Sequence, residues 1–214
     1  MTPRQALERL REGNQRFAAN LQSLDALLTH TRRGELATGQ HPFAILLGCS
    51  DSRVPAETVF DQGLGDLFVI RVAGNIVGPS QVGSVEFAVA RLGVRLVVVL
   101  GHTHCGAVVA TLEELQRPAH DQNFHPTLIT DRVRPAVEGL LATELVHDQE
   151  ALIRHAVQAN VRAAASQLRH GSPLLEELTQ KGEVVVVGAK YSLESGLVDF
   201  FDGCPDPLER GALL

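Results

Sequence analysis

Four stretches of this chain are apolar almost throughout and no more than seven residues long: FAILLG (43–48), LFVIRV (67–72), RLVVVLG (95–101) and EVVVVGA (183–189). A strand with one wet face alternates polar and apolar side chains. A strand with no wet face reads as a continuous run, which marks a sheet covered on both sides. Helical patterns fall between these runs, so the chain is expected to be an α/β protein with a mainly parallel sheet flanked by helices. In such sheets, ligands bind beyond the carboxyl ends of the strands.

The remaining elements follow from local signals. Thr2-Pro3-Arg4-Gln5 is a helix start, with a Thr cap, Pro at the first helical position and Gln three residues after the cap. An amphipathic helix then runs to about residue 20, with Leu7, Leu10 and Phe17 on one face. Residues 28–41 read as a polar connection, 80–93 as a helix closed by Gly93, and 118–128 as a Pro-, His- and Asn-rich loop. A helix starts close to His104, and two more are expected over 129–143 and 148–169. A last strand over 183–192 is followed by a short tail. No repeat, low-complexity tract or interdomain linker interrupts this, so residues 1–214 are expected to form one domain with an N-terminal helical arm of about 1–40.

A net charge of −6 and a pI near 5.8 give no basic footprint for nucleic acid. The longest apolar runs are too short to span a bilayer. The N-terminus lacks an uninterrupted apolar stretch of the signal-peptide kind. A cytoplasmic protein is therefore expected, with no nucleic-acid or membrane partner. Its three cysteines, 49, 105 and 204, are odd in number and widely spaced, which is not the pattern of a disulfide framework.

Two strand ends carry unusual chemistry. The first strand runs into Gly48-Cys49-Ser50-Asp51-Ser52-Arg53, and the third into Gly101-His102-Thr103-His104-Cys105-Gly106. His-x-x-Cys places two zinc ligands within one turn. Cys49 adds a second thiolate and Asp51 a carboxylate, so Cys49, Asp51, His102 and Cys105 form a donor set suited to zinc. Each part also has a plain structural reading. Cys49 serves equally as a small core hydrophobe, and Asp51 with Arg53 as an ordinary loop ion pair. His104 has poorer spacing to Cys105 than His102 has, and Cys204 has no partner nearby.

CSDSR followed by GHTHCG resembles the β-class carbonic anhydrases, whose signatures are Cys-x-Asp-x-Arg and His-x-x-Cys. The similarity extends through FAILLGCSDSRVPAETVFDQGLGDLFVIRVAGNIV, GSVEFAVARLGVRLVVVLGHTHCGAV and VVVVGAKYSLESGLV, and is weaker over 107–182. It implies the fold of that family and one Zn2+ per subunit on Cys49, His102 and Cys105. It also implies an Asp51–Arg53 catalytic dyad, and hydration of carbon dioxide to bicarbonate by zinc-bound hydroxide. Asp51 would alternate between the metal and Arg53, closing or opening the site to water. Relatives of this fold that hydrolyse carbonyl sulfide or carbon disulfide are an alternative. So is a non-catalytic zinc protein with Asp51 always on the metal.

One subtype of the family carries an allosteric bicarbonate site that this chain matches at Arg71 and Tyr191. That subtype has a Trp three residues before the first ligand Cys, where this chain has Leu46. The always-open subtype has a Gln matched by Gln40, a Phe matched by Phe68 and a Tyr that is Phe87 here. The resemblance therefore implies the open form and a substrate pocket of Gln40, Phe68 and Phe87; Gly106, just after Cys105, can place a backbone N–H toward the substrate and serves equally as a turn glycine. It further implies a homodimer or homotetramer, with the N-terminal helix lying on the neighbouring subunit and the pocket at the interface. Carbon dioxide, bicarbonate and water are the partners it implies.

Overall fold

The computed structural model describes residues 1–21, 33–34, 36–117 and 127–205. Its centre is a five-stranded sheet of β1 (Ala44–Gly48), β2 (Leu67–Arg71), β3 (Leu96–His102), β4 (Val185–Tyr191) and β5 (Val198–Asp202), in the order β2-β1-β3-β4-β5. The first four strands run parallel, as their unbroken apolar runs require. β5 returns antiparallel to β4.

Alternate strand residues feed two apolar layers. Ala44, Leu46, Leu96, Val98 and Leu100 pack on one face with α1 (Pro3–Ala18) and α2 (Ala56–Val59). Ile45, Leu47, Val97 and Val99 pack on the other with α3 (Pro79–Leu92) and α6 (Gln149–Arg169). Each such buried Leu, Ile or Val stabilises the fold by about 1.5–3 kcal/mol relative to exposure. A third apolar cluster gathers α4 (Gly106–Gln116), α5 (Thr127–Val137) and α6 around Cys49 and Cys105, beyond the strand ends.

α1 begins at the expected capping box, with Thr2 and Gln5 satisfying each other's backbone N–H groups. One face of it packs against the core of its own chain. Ala6, Leu7 and Leu10 are buried in the core. A Cβ on Gly13 would stand 1.9 Å from the Phe60 carbonyl, so only glycine allows this approach. Asn14 donates to the carbonyls of Val59 (3.1 Å) and Gly196 (2.8 Å) and accepts from the Val198 N–H (2.8 Å).

The structure corrects the C-terminal half in three places. The tail expected after the last parallel strand contains β5, an edge strand whose Asp199 and Asp202 interrupt the apolar pattern. A further helix, α7 (Pro173–Gln180), precedes β4, capped by Ser172. The helix expected to reach 143 ends at Val137 and continues as 3₁₀ turns over Glu138–Ala142 and Glu144–His147. The expected loop at 118–128 lies outside the described residues apart from 127 and 128, which open α5. Most of the 28–41 connection is outside them as well. Among the described residues, no helix is long and apolar enough to cross a membrane.

Candidate metal centre

Parallel register brings the two motifs together. Gly48 at the end of β1 stands level with Leu100 on β3 and Arg71 on β2. Cys49 leaves β1 as His102 closes β3 beside it, and Cys105 sits at the N-cap of α4. Cys49 Sγ, Cys105 Sγ and a ring nitrogen of His102 all lie within 4.8 Å of one another, and all three residues are buried.

The imidazole shows what the group is built for. His102 is 0% exposed. Its Nδ1 faces the Thr103 carbonyl at 2.9 Å, which fixes that nitrogen as the N–H donor. Nε2 is then the lone-pair nitrogen, and it is buried without a hydrogen-bond partner. A buried polar atom is rarely left unsatisfied without reason. Here it faces two sulfurs, and a cation among the three satisfies all of them. The Cys₂His donor set is soft and of the kind that selects zinc.

The thiols are poised for the same role. Cys49 and Cys105 lie 4.0 Å apart, sulfur to sulfur. The hydrogen bond from Cys105 holds the Cys49 thiol well below its ordinary range against the opposing effect of burial, with the N–H groups of Asp51 and Gly74 adding to it. Cys105 moves the other way, above the ordinary thiol range, because of its bond to Cys49, burial and the charge on Cys49. Gly74, at φ +68° after β2, donates its N–H to Cys49 Sγ at 3.4 Å. No side-chain signal in the sequence marks that backbone donor.

Asp51 and Arg53 form a two-point pair. Arg53 Nε donates to Oδ1 at 2.9 Å and Nη2 to Oδ2 at 2.7 Å, while the Arg53 backbone N–H also reaches Oδ1 at 3.0 Å. These bonds from Arg53 hold the Asp51 carboxyl well below the usual carboxylate range. The same Oδ2 stands 3.8 Å from His102 Nε2, so the carboxylate borders the donor group without entering it.

The other expected site residues are placed differently. Gly106 opens α4 beside Cys105, with nothing within 4 Å of where a Cβ would stand. Phe68 and Phe87 meet ring to ring at 6.3 Å on the β2–α3 flank. Phe68 packs with the α3–α6 layer and not with the cluster around Cys49 and Cys105. Phe87 is 52% exposed, and Gln40 is exposed in the stretch before β1. Within one chain these three do not join the metal group. His104 adopts a left-handed turn (φ 51°) and pairs with Glu194 Oε1 at 3.0 Å. Cys204 lies apart from the other thiols, facing the Phe200 carbonyl.

Comparison with known proteins agrees with this geometry. Residues 44–198 match the family profile described as carbonic anhydrase. The chain is 39% identical to carbonic anhydrase 2 of Mycobacterium tuberculosis over 196 residues, covering 91% of this chain and 90% of that protein. It superposes on the β-carbonic anhydrase CafA of Aspergillus fumigatus with a TM-score of 0.70 at 30% identity, covering 92% and 90% of the two chains. A tetrameric β-carbonic anhydrase of Sordaria macrospora matches with a TM-score of 0.67 at 27% identity, covering 94% and 98%.

Proposed function

The chain belongs to the β-class carbonic anhydrases, and from that premise we propose how its own residues carry out the reversible hydration of carbon dioxide. Cys49, His102 and Cys105 hold one zinc ion per subunit. The observation that carries this is the buried, unpartnered Nε2 of His102 aimed at the same point as two thiols. When bound, the zinc supplies the Lewis acidity that makes water a nucleophile near neutral pH.

Asp51 and Arg53 do the rest. An ionised carboxylate is an acceptor only, so Asp51 takes a hydrogen bond from the attacking water and turns its lone pair toward carbon dioxide. Arg53 holds both carboxylate oxygens and keeps Asp51 from becoming a fourth protein ligand, which would close the site to water. The bidentate pair supports an open resting state. The Gly106 N–H borders the substrate beside Cys105.

Gln40, Phe68 and Phe87 complete the pocket from a second copy of the chain in a homodimer or homotetramer. The exposure of Phe87 and Gln40, away from their own metal group, supports that arrangement. The tetrameric Sordaria relative supports it further.

The test is stopped-flow carbon dioxide hydration by the zinc-loaded protein and by Cys49→Ser, with zinc content measured on both. Hydration that is lost together with zinc in Cys49→Ser is expected. Absence of hydration in the zinc-loaded wild type, or full activity and zinc content in Cys49→Ser, overturns the reading. Parallel assays with carbonyl sulfide and carbon disulfide decide whether either gas is the better substrate.

A further inference from the structure

Arg71 closes β2 opposite Gly48, so its side chain leaves the sheet beside the loop that carries Cys49, Asp51 and Arg53. There its Nε donates to the Cys49 carbonyl at 3.1 Å and its Nη2 to the Asp51 carbonyl at 2.6 Å. A planar guanidinium suits such a two-point contact, and a lysine ammonium does not. The main chain around it is tied as well. Val72 N–H donates to Gly48 (3.1 Å), Ser50 N–H to Val72 (3.3 Å) and Val54 N–H to the Asp51 carbonyl (3.1 Å).

One cation thus holds the Cys49–Ser50 and the Asp51–Ser52 peptide planes. Those planes set the direction in which two side chains depart, Cys49 toward Cys105 and Asp51 toward Arg53. The carboxylate has another destination close by, because Oδ2 is only 3.8 Å from His102 Nε2. A small rotation of the loop would place it among the metal donors. The guanidinium is committed to two carbonyls, while Leu46 and Tyr191 are both buried in the core.

Resting on the zinc hydration reading above, we propose that Arg71 is a positioning residue that keeps Asp51 off the metal by clamping the loop backbone between Cys49 and Asp51. It touches neither substrate nor metal and acts through the direction of Asp51. The loss of one or two charge-assisted hydrogen bonds corresponds to about a 10- to 100-fold fall in kcat/KM for Arg71→Ala.

The test uses the full chain loaded with cobalt(II), whose visible d–d bands report what ligates the metal, alongside stopped-flow hydration. Wild type, Arg71→Ala, Asp51→Ala and the double variant form a cycle. Arg71→Ala is expected to shift the d–d bands in the wild-type background, as a carboxylate joins the metal. It is expected to leave them in place when Asp51 is already alanine. Arg71→Lys, with a single donor point, should recover only part of the rate, and it replaces Arg71→Ala in the cycle if that variant does not fold. Unchanged bands with a rate within about threefold of wild type overturn the proposal. A band shift that is the same with and without the Asp51 carboxylate also overturns it, since that is general loosening. Absence of thiolate-to-cobalt charge transfer in the wild type overturns the zinc reading and this proposal with it. Its presence alongside either negative result overturns the role of Arg71 alone.

Discussion

Replacing Asp51 by asparagine separates what the dyad does for activity from what it does for stability. In the structure Oδ1 accepts two N–H groups of Arg53 and Oδ2 accepts a third. An amide has one acceptor oxygen and one NH₂, so in Asp51→Asn every orientation of the side chain points a donor at a donor. With the amide oxygen in the Oδ1 position, the NH₂ meets Nη2, which now lies 2.7 Å from Oδ2. With the oxygen in the Oδ2 position, two Arg53 donors face the NH₂. The pair breaks either way. Arg53 is 53% exposed, so water takes up its freed donors. The melting temperature should therefore stay within about 2 °C of wild type. The two thiols and the imidazole are untouched, and zinc content should stay near one per chain. Activity should behave differently, because the carboxylate proposed to accept from the attacking water is gone. Loss of a positioned acceptor of this kind costs roughly 100-fold or more in rate. Stopped-flow hydration, metal analysis and a thermal melt on one preparation check all three. An Asp51→Asn variant with kcat/KM within about threefold of wild type would refute the assignment of Asp51 as the acceptor.

Two further outcomes follow from the same geometry, and a third from the seat of α1. The folded pKa of Asp51 is depressed by Arg53. Its stabilising contribution is therefore present above the unfolded value of about 3.9 and is lost as pH falls through the folded one. Asp51 stays ionised between about pH 5 and 9, so no limb of a hydration profile in that range belongs to it. In the proposed site two thiolate ligands would cancel the formal charge of a zinc ion and would leave water there less acidic than three imidazoles would. Hydration kcat/KM should accordingly rise from about pH 6.5 to 9, and a flat profile there would count against the donor set. Asn14→Ala removes three buried or half-buried hydrogen bonds that seat α1 on its own sheet. It should cost about 2–4 kcal/mol, lowering the melting temperature by roughly 5–12 °C in calorimetry. A shift below about 2 °C would show that α1 is not held this way.

How far the sequence could be read depended on where each signal resides. Cys49, Asp51, Arg53, His102 and Cys105 were legible because strand ends and side-chain chemistry coincide, and one turn separates His102 from Cys105. The four parallel strands were legible because burial leaves polar residues only toward their carboxyl ends, at Arg71, His102 and Lys190. β5 was not, because an antiparallel edge strand carries Asp199 and Asp202 within the pattern. The seat of α1 was not either. It depends on Gly13 passing under the Phe60 carbonyl and on Asn14 reaching backbone far along the chain. The Gly74 donor to Cys49 is a backbone N–H, so no residue type announces it.

Arg71 shows how much of the site is a property of register rather than of motif. β1 is flanked by β2 on one side and β3 on the other, and all three point their carboxyl ends the same way. Gly48 is level with both Arg71 and Leu100, so a single layer of the sheet delivers Arg71, Cys49 and, two residues on, His102. A one-residue slip of β2 would move Arg71 by about 3.3 Å and turn it to the opposite face. It would then reach neither the Cys49 nor the Asp51 carbonyl, although every residue of both signatures would still be present. The Cys-x-Asp-x-Arg spacing therefore accounts for the proposed gate only in company with the β1–β2 pairing. In the structure that pairing sets Ala44–Gly48 level with Leu67–Arg71, residue for residue.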